Sequence, residues 1–181
     1  MIKKLYYAAI AVALITVATS CSEDEDDHLN DWMLANQQVF NAIKSNPEYK
    51  EYHSPGNEGS IWCKVLKKGE GTKPIYYTST VSCYYKGWFV ADYPYYNISN
   101  GQVFDQHLFD DGSPSAFSVG SGVINGWKTA LQNMVEGDVW EVWIPYQLGY
   151  GSNYQTDSST GAITIPAYST LVFEIEVVKI Y

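Results

Sequence analysis

Between Ile61 and Ile180 the apolar residues fall at every second position in several strand-length runs, and at helical spacing in only one stretch. Ile61, Cys63 and Val65 alternate, and Val81, Cys83 and Tyr85 alternate with Ser82, Tyr84 and Lys86, the pattern of half-buried strands. Val139 to Ile144 carries tryptophan or valine at every other place, as a strand covered on both faces would. Thr170 to Ile180, rich in Val and Ile, reads as a final strand. The exception is Val123, Ile124, Trp127, Leu131 and Met134, one short helix closed by Gly137-Asp138. Side chains alternating with period 2 share a face only in an extended chain. The pattern therefore predicts an α+β fold, an antiparallel sheet wrapped on a helix.

Ahead of this region, Leu29, Trp32, Met33, Val39, Phe40 and Ile43 recur at helical spacing as far as Lys44, with Asn46-Pro47 closing the segment. An extra N-terminal helix is expected there, either packed on the domain or forming a weak dimer seam. His53 to Ser60 reads as a loop, and Lys68-Gly69-Glu70-Gly71 as a turn. Trp88 to Gly101 is tyrosine-rich and ends in the turn pair Asn100-Gly101, and Pro145 to Pro166 is a long loop. With 181 residues the chain holds one domain and its extensions.

The first residues form a targeting segment. Lys3 and Lys4 precede the apolar stretch Leu5 to Ala18, which is short for a bilayer span but suits a signal-peptide core. It ends in Ala18-Thr19-Ser20-Cys21, which resembles the lipobox of bacterial lipoproteins, with Cys21 as the lipidation site. The acidic run from Glu23 to Asp27 follows, as a solvated tether or as an export signal to the outer face of the outer membrane. The expected division is a signal peptide over 1–20, an acidic tether over 21–28, a helix and linker over 29–60 and the folded domain over 61–181. The expected place is the envelope of a Gram-negative bacterium, anchored by lipid to the outer membrane and periplasmic or surface-exposed.

Formal charge is -9 and every basic residue is lysine, so nucleic-acid binding has neither a basic patch nor arginine forks to rest on. Cys63 and Cys83 sit in strand-like runs, and spacing leaves a disulfide and two buried thiols both open. Usual paired ligand spacings are missing, which argues against a structural zinc site. His28, His53 and His107 fall in loops or the tether, with no Gly-x-Ser-x-Gly elbow and no phosphate-binding glycine loop. What stands out instead is a set of aromatic residues near element ends: Tyr85, Phe104, Phe117, Trp127, Tyr150 and Phe173.

These aromatics lie inside an ordered series of short motifs. Gly69-Glu70-Gly71, Tyr85-Lys86-Gly87, Gly101-Gln102-Val103-Phe104-Asp105 and Phe117-Ser118-Val119-Gly120 come first. Val123-Ile124-Asn125-Gly126-Trp127, Ala130-Leu131, Met134 with Gly137, and Ile144-Pro145 follow. Leu148-Gly149-Tyr150-Gly151, Ile165-Pro166-Ala167 and Ser169 to Glu174 complete the series. In order and spacing it resembles the FKBP-type peptidyl-prolyl cis-trans isomerases over roughly residues 61 to 181. The resemblance implies an FKBP-like curved antiparallel sheet folded over one short helix, with an aromatic pocket between them. It implies a foldase for exported or cell-surface proteins that turns prolyl bonds without covalent chemistry and without a cofactor or metal. Its partners would be proline-containing polypeptides. The alternative is an FKBP-fold chaperone or surface-assembly module with weak or no isomerase activity.

On this resemblance Trp127 forms the pocket floor, and the Ile124 N–H and Tyr150 hydroxyl bond substrate carbonyls. Asp105 polarises the site through a tyrosine hydroxyl. Tyr85, Phe104, Phe117, Val123, Ile165 and Phe173 complete the substrate-binding wall. The chain also departs from the family. Ser115 stands where many members carry another wall aromatic, and Gln106 follows the aspartate in place of a small hydroxyl residue. An arginine often found past that aspartate is missing, and the Trp88–Gln102 and Ser152–Ile163 connections are long. These departures bear on substrate preference and turnover.

Overall fold

The structure, a computed structural model, describes residues 23–181, so the apolar leader and Cys21 lie outside the described residues. Helix α1 (Glu23–Lys44) starts earlier than the apolar stripe suggests. The acidic run expected as a tether forms its first turns. Asp26 and Asp27 suit that position because the unpaired N–H groups of a helix start carry partial positive charge.

Strand β1 (Lys50–His53) follows in a segment expected to be linker. It is an edge strand with only Tyr52 half-buried, so it shows no apolar alternation. Its partner is β2 (Ser60–Lys67), in the register Lys50↔Cys63 to His53↔Ser60. Next come β3 (Thr80–Phe89), β4 (Val103–His107) and β5 (Ser115–Ser118). Helix α2 (Asn125–Leu131) leads into β6 (Val139–Ile144). The long loop contains a 3-10 turn at Tyr146–Leu148 and a two-stranded ribbon of β7 (Gln155–Thr156) and β8 (Ile163–Ile165). Strand β9 (Leu171–Ile180) ends the chain.

The main sheet is antiparallel in the order β1-β2-β6-β9-β3-β4, and β5 also pairs with β3. Strand β3 is long enough to serve two partners along one edge: Thr80–Cys83 pairs with β5, and Tyr85–Trp88 with β4. Both Cys63 and Cys83 are buried free thiols. They lie on β2 and β3, with β6 and β9 between them, about 14 Å apart at ordinary strand spacing. That is more than twice the reach of a disulfide.

The core lies between the sheet and α2, where Ile61, Val142, Ile144, Leu171, Ile175 and Val177 are buried together with Trp127, Ala130 and Leu131 of the helix. Gly126 sets the closeness of that approach, since a Cβ there would collide with the Ile144 side chain. The helix is shorter than the Val123–Met134 pattern predicts. Val123 and Ile124 stay outside it, Ile124 in extended conformation, and at the other end the Met134 N–H turns back to the Leu131 carbonyl at 3.1 Å. Buried Asp138 then ties the following turn to the Gly69-Glu70-Gly71 turn, accepting from Val135 N and Gly69 N at 2.8 Å each.

Helix α1 is laid on the domain. The Trp32 ring, 1% exposed, stacks on Tyr93 at 4.9 Å and donates its N–H to the Ala167 carbonyl at 3.1 Å. Asn36 accepts the Thr170 N–H at 2.8 Å, and Phe40 meets Trp62 edge-on. The apolar stripe therefore covers the ends of β2, β3 and β9, as the packing version of its two expectations requires.

Candidate active site

One cavity of about 410 Å³ opens between the sheet and α2. Each element contributes by a local rule. Strand β3 brings Tyr85 toward the cleft and then Gly87, where a Cβ would stand 2.6 Å from Phe173 and 2.7 Å from Phe104. The missing side chain lets those two rings close edge-to-face at 5.4 Å. A register shift between Gly87 and Trp88 follows at the β3–β4 pairing, where Phe104 and Asp105 of β4 sit. Strand β5 delivers Phe117, and the turn into α2 delivers Val123 and Ile124.

Trp127, on the first turn of α2, is 4% exposed and takes edge contacts from Tyr85, Phe117 and Phe173 at 5.3–5.4 Å. Such edge-to-face contacts place ring hydrogens against π faces and fix ring orientation. The cavity therefore has a rigid aromatic lining. Every residue assigned to the site from the sequence reaches this lining: Asp105, Tyr150, Ile124 and Trp127, and Tyr85, Phe104, Phe117, Val123, Ile165 and Phe173. Gly122, Gln155 and Thr164 also line it and were not foreseen. Thr164 directly precedes Ile165-Pro166 and could have been found from that motif. Gln155 carries no signal in the sequence, because only the β7–β8 pairing brings it there. Ser115 is outside the lining and pairs with Cys83.

The polar groups are few and directional. The Tyr85 hydroxyl donates to Asp105 Oδ2 at 3.0 Å. Burial first, and then the bond to and charge of Asp105, push the Tyr85 phenol up to about 12. Burial, followed by the Asp105 charge, also raises Tyr150 above its ordinary value. Both phenols are therefore protonated donors at physiological pH. Among the described residues no hydrogen bond engages the Ile124 N–H, which stands at the start of α2. Beside the rings stand the Ile124 N–H, the Tyr85, Tyr150 and Thr164 hydroxyls, the Gln155 carboxamide and one carboxylate, and among the described residues no hydrogen bond there pairs a nucleophile with a base. The arrangement can bind and desolvate a peptide segment.

Comparison with known proteins agrees. The family model for FKBP-type peptidyl-prolyl cis-trans isomerase matches residues 71–178. The FKBP-type 22 kDa peptidyl-prolyl cis-trans isomerase of Escherichia coli is 37% identical over 123 residues, 68% of this chain and 51% of that protein. The FK506-binding protein of Neisseria meningitidis serogroup A is 32% identical over 124 residues, 68% of this chain and 98% of that protein. The chain thus spans about half the length of the first relative and nearly all of the second. A peptidyl-prolyl cis-trans isomerase from Pseudomonas syringae superposes with a TM-score of 0.62 at 30% identity, over 83% of this chain and 94% of the other. FkpA from Escherichia coli gives 0.65 at 26% identity, over 87% and 63%. This chain belongs to the FKBP-type peptidyl-prolyl cis-trans isomerase family.

Proposed function

We propose that this chain is a prolyl isomerase of the bacterial cell envelope, acting as a foldase on exported or surface proteins and held to the outer membrane by a lipid on Cys21. The lining of the cavity carries the isomerase reading: an aromatic enclosure based on Trp127, with the Tyr85–Asp105 hydrogen bond in its wall.

Rotation about a peptide bond faces a barrier of about 20 kcal/mol because the planar amide is conjugated. The half-rotated amide loses that conjugation and is less polar, so an apolar, water-poor enclosure favours it over the planar form. Trp127 takes the proline ring on its face, and Phe104, Phe117, Ile165 and Phe173 exclude water around it. The Ile124 N–H and the Tyr150 hydroxyl hold carbonyls of the client, and Asp105 orients Tyr85 and sets the local field. No bond is made or broken.

The apolar leader, Ala18-Thr19-Ser20-Cys21 and the acidic run support the envelope assignment. Among the described residues no helix is long and apolar enough to cross a membrane. An isomerisation assay on a proline peptide tests the activity, and a rate equal to the uncatalysed one would overturn it. Mass spectrometry of membrane-derived protein tests the anchor, with acylated Cys21 as the expected N-terminus.

A further inference from the structure

The donors and acceptors of the cavity are unevenly matched to a peptide. An extended client presents both carbonyls and N–H groups around its proline, and only the proline itself lacks an N–H. The Ile124 N–H and Tyr150 hydroxyl serve the carbonyls. On the β4 side Asp105 is an acceptor, but the Tyr85 hydroxyl occupies its Oδ2. The opposite wall is the β7–β8 ribbon, and it carries a carboxamide.

Gln155 stands directly across from Ile165 in the ribbon register, and cross-strand partners share a face. Ile165 is buried against the cavity and Gln155 lines it as well. The Gln155 Nε2 donates to the Tyr154 carbonyl at 3.2 Å, and no hydrogen bond engages its Oε1 among the described residues. Gln155 therefore brings to the lining of the cleft an acceptor oxygen with no other hydrogen bond. The ribbon is also held in place. Asp157 closes its tip by accepting from Ser159 N and Thr160 N, and the Tyr154 ring lies edge-on to Tyr96 at 6.3 Å. Tyr96 in turn meets Tyr93, the ring on which Trp32 of α1 stacks.

We propose that Gln155 is a specificity-determining residue, its Oε1 accepting a hydrogen bond from a backbone N–H of a residue flanking the client's proline. The inference rests on the isomerase reading above and adds to it a preference for a peptide chain over a proline ring alone. An N–H entering the cleft without an acceptor loses its bond to water, whereas one bonded to Gln155 does not.

Peptide affinity measured by calorimetry on the full chain reads this proposal, and turnover separately reads the isomerase function. Gln155→Ala should weaken binding of a proline peptide about three- to tenfold, the loss of one hydrogen bond. Gln155→Glu keeps an acceptor and should retain most of the affinity. N-methylation at one of the two residues flanking the proline should make wild type and Gln155→Ala equal. Equal affinity of the two proteins for the unmodified peptide would overturn the proposal. So would a Gln155→Ala deficit that persists with both methylated peptides, since a merely structural role would produce it. Wild-type turnover at the uncatalysed rate would sink the isomerase reading, while peptide affinity would still decide the role of Gln155.

Discussion

Tyr85 and Asp105 depend on each other in different ways. Asp105 is exposed on β4 and contributes little to folding, yet it is the carboxylate that holds the Tyr85 hydroxyl at 3.0 Å. Asp105→Ala should therefore cut kcat/KM about tenfold or more while moving Tm by less than about 3 °C, as checked by a coupled isomerisation assay and a thermal melt. Trp127→Leu behaves otherwise, since a 4% exposed indole supports the rings around it. It should weaken proline-peptide binding and also destabilise the domain. Tyr85 adds a pH prediction. Its phenol titrates at about 12, against an ordinary 10, so isomerase activity should stay level through pH 10 with no phenol-like fall. A drop centred near the ordinary phenol value would show the hydroxyl to be free of Asp105. These roles were legible because the residues sit in motifs that carry their neighbours with them. Gln155 was not, because a residue that reaches the cleft only when a loop folds on itself leaves no local pattern.

Among the elements, the two helices illustrate opposite errors of periodicity. Helix α2 is shorter than its apolar spacing because Val123 and Ile124 serve the cavity and stay outside it, Ile124 in extended conformation. Helix α1 is longer, because acidic residues that suit a solvated tether equally suit a helix start. Gly126 shows which effect wins inside α2. Alanine would gain up to about 1 kcal/mol of helix propensity, but its methyl would meet Ile144 at a cost of about 1–3 kcal/mol. Gly126→Ala should therefore lower stability in urea unfolding. For α1, Trp32→Ala removes a buried indole and its bond to Ala167, and should cost about 3–5 kcal/mol by the same measurement. Strands β2, β3 and β6 were legible as alternation, because buried apolar residues recur at every second place in β2 and β6 and at Val81 and Cys83 of β3, and β9 was legible by its Val and Ile content. Strand β1 and the β7–β8 ribbon were not, being short and mostly polar.

Across the whole molecule, several acids have been raised by burial. The Cys83 thiol and the Tyr49 and Tyr85 phenols are pushed up to about 12, and Cys63 is raised further in the same direction. For an acid raised by folding, the neutral form is the one the native state favours. Its stabilisation is complete below the unfolded value, near 9 for the thiols and 10 for the phenols, and is lost as pH climbs through the folded one. Urea midpoints should therefore hold level from neutrality to about pH 9 and fall steadily toward pH 12. A midpoint that stays level over that interval would mean these groups are exposed. The same burial should keep both thiols unreactive to alkylation in the native protein and release them together on unfolding.

The sequence by itself determined the α+β architecture, the one central helix, the aromatic residues of the site and the motif order that marks the family. It could do so because alternation, helical spacing and motif order are local properties of a chain. Only the tertiary structure decided that Cys63 and Cys83 are too far apart to bond, since sheet order is not written in either strand. Only the fold showed α1 lying on the domain through Trp32 and Asn36, because either surface of an apolar stripe looks alike in sequence. Likewise, Gln155 stands at the cavity because β7 pairs with β8 and turns it inward, a contact between residues that no periodicity connects.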